Sequence, residues 1–235
     1  MLGTGRCTDH RCFDPVRDEL ARHYSVTAYD RRGYGKSGDK AGYSLDREVD
    51  DFVAAATVAG DGEPVSVLAY SYGATGVLRA VCTRPAPVRA VVTYEAPFGV
   101  PGVLPTFAEI TALVDAGRYD QAVRLFVAST FRLDDRLVER MSTHPMWPMS
   151  VAAAARLPRE GTAILTASVE ARTVPVPPVR YLVAEEGGNP AVRQIAADIA
   201  RLIPGADMAT GPRVPHFAIN WHPAAFVSCA LDHLQ

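Results

Sequence analysis

A serine between a predicted strand and a predicted helix is the clearest candidate for chemistry in this chain. Ser71 is the centre of the pentapeptide A-Y-S-Y-G at 69–73, after a strand predicted over 65–69. A serine in so tight a turn adopts a strained backbone, and the residues two positions to either side must be small because the helix packs against the strand. Ala69 and Gly73 satisfy this condition. The turn exposes the hydroxyl and directs the helix N-terminus at a developing oxyanion, which makes Ser71 the candidate nucleophile. An ordinary helix capped by serine is the alternative interpretation.

Strands and helices alternate on both sides of this turn. A polar loop with two glycines, 30–35, follows the first predicted strand, and Ser44 has the position and type of a helix N-cap. The predicted strands span 26–29, 65–69, 89–94, 179–184 and, weakly, 207–209, and the predicted helices span 44–60, 73–83, 190–202 and 223–234. Such alternation predicts an α/β fold with a mostly parallel sheet that is flanked by helices.

The stretch 99–173 departs from this alternation. It is rich in alanine, has helical periodicity broken by prolines at 145, 148 and 158, and contains no convincing parallel-strand unit. The pattern predicts a helical insert, which is either a lid over the sheet or an ordinary helical surface layer. We therefore divide the chain into a core, 1–98 and 174–235, and a helical insert, 99–173.

Composition excludes several classes of function. The 235 residues suit one domain with an excursion. A net charge of −2 provides no basic face for nucleic acid or for an anionic membrane. No stretch approaches the roughly 18 apolar residues that span a bilayer, and the N-terminus has no apolar signal core. We expect a cytoplasmic protein whose partner is a small-molecule substrate.

The four cysteines do not indicate a disulfide framework or a metal site. Cys7, His10 and Cys12 could bring three metal ligands together, but structural zinc uses four ligands in paired spacings and the chain has no second pair. Free thiols on a loop are the favoured interpretation.

Two further segments resemble the α/β-hydrolase family. Residues 24–39, Y-S-V-T-A-Y-D-R-R-G-Y-G-K-S-G-D, resemble the strand and loop that precede the nucleophile in esterase-like and epoxide-hydrolase-like members. Residues 214–217, V-P-H-F, resemble the loop that carries the general base. The resemblance extends over 24–235 apart from the insert, where the family builds its lid. It implies an α/β-hydrolase fold with a helical cap and a catalytic triad of serine, histidine and an acid.

This resemblance makes His216 the candidate general base. A serine hydroxyl is a poor nucleophile at neutral pH unless an imidazole within hydrogen-bonding reach removes its proton. His216 follows a weak strand and precedes the last helix, as the family requires, and His222 is a distant second candidate. The remaining histidines are His10, His23, His144 and His233.

Two glutamates compete for the role of the acid. The family usually places a carboxylate after the strand that ends near Ala184, where this chain has Glu185, Glu186 and then Gly187 at the expected aspartate position. A second solution in the family places the acid after the preceding strand, where this chain has Glu95. We favour Glu95 over Glu186, since a carboxylate there would orient His216. The alternative is that Glu95 tethers the lid.

The resemblance also implies an oxyanion hole built from two backbone N–H groups, those of Tyr72 and Thr4. Residues 2–5, L-G-T-G, resemble the end of the loop that supplies the second donor. The family has strands before this loop, one of them central and paired with the nucleophile strand, and we expect this chain to lack them. Because unpaired buried backbone groups are costly, a segment of a partner chain could fill the gap in a homodimer.

Together these features favour a serine hydrolase that cleaves an ester, thioester or similar acyl bond of a small, fairly apolar molecule. Trp147 and Met149, which lie beside prolines in the insert, are the candidate substrate-binding side chains. The chemistry requires no metal ion and no organic cofactor. The alternatives are a ligand-binding protein without catalysis, or a lyase or cyclase, on the same fold. Haloalkane dehalogenase chemistry is disfavoured because it uses an aspartate nucleophile where Ser71 stands.

Overall fold

The strands form a single parallel sheet in the part of the chain that the computed structural model describes, which is 1–40, 42–100, 102–168, 174–184, 189–211 and 216–234. Their order across the sheet is β2-β1-β3-β4-β5-β6. Their bounds are Leu2–Gly3 for β1, Ala28–Tyr29 for β2, Val65–Tyr70 for β3, Val88–Tyr94 for β4, Val179–Val183 for β5 and Ala206–Thr210 for β6. The predicted α/β fold with a parallel sheet is thereby confirmed.

The expected gap beside the nucleophile strand is wrong, because β1 occupies that position. Leu2 is paired with Leu68 of β3 on one side and with Ala28 of β2 on the other, and Gly3 continues both pairings. The main-chain groups of Met1 and Leu2 take part as well, since the carbonyl of Met1 accepts a hydrogen bond from the N–H of Leu68. Two residues are too few to give a periodic apolar signal, whereas their backbone groups suffice to pair both neighbours. The geometric reason for expecting a strand exchanged between chains is thereby removed.

Helices cover both faces of the sheet because successive strand residues point to opposite sides. Val67 and Val91 pack with Phe52 under α2, α3 and α9, whereas Leu68 and Val92 pack against α1 and α11. The side chain of Ser44 accepts a hydrogen bond from the N–H of Arg47 and caps α2, as predicted. The bounds of these helices are Asp14–Ala21 for α1, Leu45–Gly60 for α2, Tyr72–Thr83 for α3, Ala191–Leu202 for α9, Ala218–Trp221 for α10 and Pro223–Leu231 for α11.

The described part of the insert is helical. Its α-helices are Phe107–Asp115 (α4), Tyr119–Phe131 (α5), Asp135–Ser142 (α6), Trp147–Ala153 (α7) and Leu157–Thr166 (α8). Pro148 and Pro158 lie in the first turns of α7 and α8, where a missing backbone N–H costs nothing, so they begin helices rather than break them. These helices share a hydrophobic cluster to which the core contributes Cys7 and Tyr34. The described residues include no helix that is both long and apolar enough to cross a membrane.

Candidate active site

Ser71 stands between the end of β3 and the first residue of α3, in a backbone conformation that few residues other than glycine adopt. Its φ is 54° and its ψ is −131°. Its N–H donates to the carbonyl of Tyr94 at the end of β4, which fixes the turn to the sheet. A Cβ added to Gly73 would lie 2.2 Å from the carbonyl oxygen of Thr4. Position 73 therefore requires glycine because the loop after β1 passes over it. The sequence analysis explained this glycine only by the packing of the helix against the strand.

Glu95, the first residue after β4, contacts the imidazole of His216. Oε2 of Glu95 lies 2.6 Å from Nδ1 of His216, and Oε1 accepts a hydrogen bond from the N–H of Ala184 at 3.3 Å. Both side chains are buried. A carboxylate can only accept, so Nδ1 carries the proton and Nε2 is left as the basic nitrogen. The competing acid, Glu186, lies outside the described residues, as do Val214 and Pro215 before His216.

Two aromatic residues, for which the sequence analysis did not predict this role, hold the ring of His216. Phe131 at the end of α5 stacks on it with ring centroids 4.2 Å apart and planes 19° apart. Tyr70 packs against it, and its hydroxyl donates to the carbonyl of His216 at 2.5 Å. The insert and the turn at Ser71 thus both position the imidazole. The position of Tyr70 next to Ser71 was the one available sequence signal.

A buried arginine organises the loop after β1. Nε of Arg31 donates to the carbonyl of Thr4 at 3.1 Å, and Nη2 donates to the carbonyl of Gly5 at 2.8 Å. Arg31 in turn is paired with Glu48 at 2.7 Å and Glu160 at 2.9 Å. Because N–H and C=O point in opposite directions in a trans peptide, the N–H groups of Gly5 and Arg6 face away from Arg31. The sequence analysis missed this network, whose members are distant in the chain.

The structure places the predicted oxyanion residues next to the nucleophile but away from the cavity wall. Thr4 is fully buried, and its carbonyl oxygen lies over Gly73. A Cβ added to Gly5 would lie 3.1 Å from Cβ of Ser71, so Gly5 is a further candidate donor. The ring of Tyr72 lies in the core under the guanidinium of Arg31, which leaves only its backbone N–H for the predicted role. The oxyanion roles of Thr4 and Tyr72 stay predictions.

A cavity of about 270 Å³ joins Ser71 and His216 under the insert. Pockets of a few hundred cubic ångströms accommodate small molecules. Most of the side chains around it are apolar, and Val123, Phe126, Phe131 and Trp147 come from the insert. The remaining described lining residues include Arg6, Cys7, Thr8, Cys12, Val127, Arg140, Met141, His144, Met146 and Ser150.

The structure separates the two predicted substrate-binding side chains. Trp147 lines the cavity with Ser71, and its indole N–H donates to Asp120 at 2.8 Å. Met149 lines a different surface cavity of about 300 Å³. Its predicted place is corrected because residues two positions apart on a helix point to different sides, and both belong to α7. Met146 lines the catalytic cavity instead.

The cysteines at the cavity are poor competitors for the role of nucleophile. Burial raises the pKa of the Cys7 and Cys12 thiols to about 12, so both stay protonated at neutral pH. Among the described residues, Asp9, His10 and Asp30 bring three potential ligand atoms together. Both carboxylates already accept hydrogen bonds, Asp9 from Arg11 and Asp30 from the N–H of His10. Cys7 and Cys12 do not belong to this group; both are free and buried, and Cys12 lies in a short 3-10 helix, His10–Phe13, and not in the predicted loop.

Comparison with known proteins defines the family. The profile of the alpha/beta hydrolase family matches residues 3–228. This chain belongs to the alpha/beta hydrolase family. The hydrolase is similar to an alpha/beta hydrolase from Sphaerobacter thermophilus, with 28% identity and a TM-score of 0.80 over 100% of this chain and 91% of that one. A hydrolase from Pseudomonas aeruginosa shares the fold at 21% identity and a TM-score of 0.76, over 99% of this chain and 88% of that chain.

A curated relative matches a shorter part of this hydrolase. The probable oxidoreductase EphD of Mycobacterium tuberculosis is 37% identical over 80 residues. That match covers 33% of this chain and 14% of EphD. It therefore says nothing about an activity of the whole protein.

Proposed function

We propose that this alpha/beta hydrolase cleaves an ester, thioester or similar acyl bond of a small molecule, with Ser71 as the nucleophile. The observation that carries the proposal is the buried contact of 2.6 Å between Glu95 and His216, on the wall of the cavity that Ser71 also lines. A buried charge needs a partner, and an imidazole held by a carboxylate is suited to take a proton from a serine.

Each group has a defined task in the proposed reaction. Oγ of Ser71 attacks the acyl carbon while Nε2 of His216 takes its proton, and Glu95 stabilises the imidazolium that results. Backbone N–H groups of Tyr72 and of the 4–5 loop stabilise the oxyanion. His216 then protonates the departing alcohol or thiol. Water, deprotonated by the same imidazole, releases the acid from Ser71.

The size and lining of the cavity support the proposed class of substrate. Its size suits a small molecule, and the aromatic and aliphatic side chains of α5 and α7 favour an acyl or alcohol part with substantial apolar surface. Phe131, which stacks on His216, also lines this cavity, so a bound acyl group would contact the ring that positions the base.

An active-site serine probe tests the proposal. A fluorophosphonate should label the protein once, on Ser71, and Ser71→Ala should remove the label. Ser150→Ala is the matched control, because Ser150 lines the same cavity and loses the same hydroxyl. Absence of labelling in the folded wild type, or equal labelling of Ser71→Ala, would contradict the proposal. Retained ligand binding without turnover would then favour the non-catalytic interpretation.

A further inference from the structure

Arg6 is a buried cation that the proposed reaction does not use. Its side chain lines the cavity of Ser71 and His216 and is 3% exposed. Nη2 donates to the carbonyl of Leu157 at 2.6 Å, and the guanidinium lies over the ring of Phe126. Nε and Nη1 have no hydrogen-bond partner among the described residues. Buried donors are rarely left unpaired, so the site calls for a further acceptor.

The nearest carboxylate does not meet that need. Glu160 forms an ion pair with Nε of Arg6 at 3.6 Å, a distance that is too long for a hydrogen bond. Its Oε1 accepts from both terminal nitrogens of Arg31, and its Oε2 accepts from the hydroxyl of Tyr34 at 2.9 Å. Glu160 thus accepts its hydrogen bonds from Arg31 and Tyr34, and Nε and Nη1 of Arg6 are left without an acceptor among the described residues.

A second unpaired donor lies at the same place. Thr130 on α5 is buried, and its hydroxyl has no partner among the described residues. Thr130, Arg6 and Ser71 all line a side cavity of about 30 Å³, enough for a group the size of one or two waters. Glu95 also lines it, and its two carboxylate oxygens already contact His216 and the N–H of Ala184.

A second arginine lies at the wall of the main cavity. Arg140, near the end of α6, lines it from the insert. No aspartate or glutamate is among the described residues that line it. An anionic substrate would therefore meet Arg140 and Arg6 in the main cavity. In the side cavity it would lie beside Glu95, whose two oxygens contact His216 and the N–H of Ala184.

We propose that Arg6, assisted by Thr130, binds a carboxylate carried by the substrate, so that the hydrolase acts on half-esters of short dicarboxylic acids or similar acidic acyl compounds. A single guanidinium with one hydroxyl suits a monoanionic carboxylate, whereas a phosphate dianion would need more donors. The bound carboxylate is a spectator, because the bond that breaks is the acyl bond at Ser71. The inference rests on the proposed function for the claim that the bound compound is a substrate, whereas binding of the carboxylate to Arg6 can be measured without turnover.

Matched esters test the selectivity. The substrates are p-nitrophenyl monoesters of dicarboxylic acids of five to eight carbons, each compared with the neutral analogue in which a primary amide replaces the free carboxylate. We expect the wild type to prefer the acid at one or more chain lengths by at least tenfold in kcat/KM. Arg6→Gln should lower this preference at least tenfold, and Thr130→Val should lower it severalfold. Arg6→Lys, which keeps the charge, should retain part of it.

Glu160→Gln separates binding from a structural role. If Arg6 acts only as a partner of Glu160, Arg6→Gln and Glu160→Gln should have the same ratio of kcat/KM for the acid substrate to kcat/KM for its amide analogue. If Arg6 binds the substrate, Glu160→Gln should keep the wild-type ratio within threefold. A wild type with no preference for the acid, or an Arg6→Gln variant with the wild-type ratio, would overturn the inference.

A binding assay distinguishes failure of this inference from failure of the proposed function. Adipate and hexanoate should raise the Tm of the wild type and of Ser71→Ala, whereas hexanamide should not. Neither acid should raise the Tm of Arg6→Gln when circular dichroism shows it folded. If Ser71 takes no probe but the acids still bind through Arg6, the proposed function fails and the inference stands. If Ser71 reacts but the acids shift no Tm in the folded wild type, the inference fails and the function stands.

Discussion

Replacing Glu95 by glutamine should remove the base without changing the shape of the site. The side chains have nearly the same size, and the positive φ of 49° at residue 95 makes the same demand on either residue. In the wild type, one oxygen of Glu95 accepts from the N–H of Ala184 and the other meets Nδ1 of His216. The amide of Gln must present its oxygen to Ala184, which leaves its NH₂ facing Nδ1. Nδ1 then becomes an acceptor and the proton moves to Nε2, which is the nitrogen that should take the proton of Ser71.

The size of the effect follows from the role of that tautomer. The corresponding change in a serine protease triad lowers kcat about 10⁴-fold because the histidine adopts the wrong tautomer. We expect a loss of about 10³- to 10⁴-fold in kcat, which corresponds to roughly 4–5.5 kcal/mol at about 1.4 kcal/mol for each tenfold step. KM should change far less, since Glu95 contacts the imidazole and not the apolar walls that bind the acyl group.

Steady-state release of p-nitrophenol and the rate of fluorophosphonate labelling would both be measured. Glu186→Gln is the matched control, because it makes the same chemical change at the competing acid and should retain activity within threefold. Thermal melting shows whether each variant is folded. A folded Glu95→Gln enzyme within threefold of the wild type would refute the reasoning, and a large loss in Glu186→Gln instead would assign the acid to Glu186.

The remaining predictions concern the turn, the buried ion network and the thiols. In urea unfolding, Ser71→Gly should be more stable than Ser71→Ala by about 1 kcal/mol. Glycine relieves the strain of a φ of 54°, which costs other residues about 1–3 kcal/mol, and the greater entropy of glycine in the unfolded chain offsets only part of this gain. Arg31→Met should lower the free energy of unfolding by about 3–5 kcal/mol in the same assay, because it removes the cation nearest to the buried Glu48 and Glu160; a loss below 1 kcal/mol would contradict this. Cys7 and Cys12 should react with maleimide at pH 8 only after unfolding. The folded-state pKa of each thiol, about 12, exceeds the usual value of 9.0, so each thiol contributes its full stabilisation below pH 9. Between pH 9 and pH 12 this contribution falls by about 1.4 kcal/mol per pH unit for each thiol. The urea midpoint should therefore fall less steeply over this pH range in Cys12→Ala than in the wild type.

Local patterns in the sequence determined the parallel α/β fold and the turn at Ser71. The turn can be predicted because all its requirements lie in one continuous segment. An apolar strand precedes the serine, a helix follows it, and Ala69 and Gly73 are its small neighbours. The helix that Ser44 caps can be predicted for the same reason, since its N-cap and its apolar face lie in one continuous stretch of sequence. His216 could be named only through its resemblance to a loop of a known family.

The tertiary structure decided which groups meet. Glu95 and His216 are 121 positions apart, and no local periodicity records that their side chains come within hydrogen-bonding distance. The pairing of Leu2–Gly3 with two strands depends on backbone groups, which every residue type possesses, so a strand this short leaves no trace in composition. The separation of Trp147 from Met149 depends on which side of α7 faces the cavity.

Arg6 shows the same division most clearly. In the sequence it is one basic residue in a short loop, with nothing to distinguish it from the other arginines. Folding places it within contact of Leu157, 151 positions away, and beside the cavity that Ser71 lines. Residue type determined what Arg6 can donate, but only the packing of the insert on the sheet decided which of its donors are left unpaired, because burial and hydrogen-bond partners are properties of the whole fold.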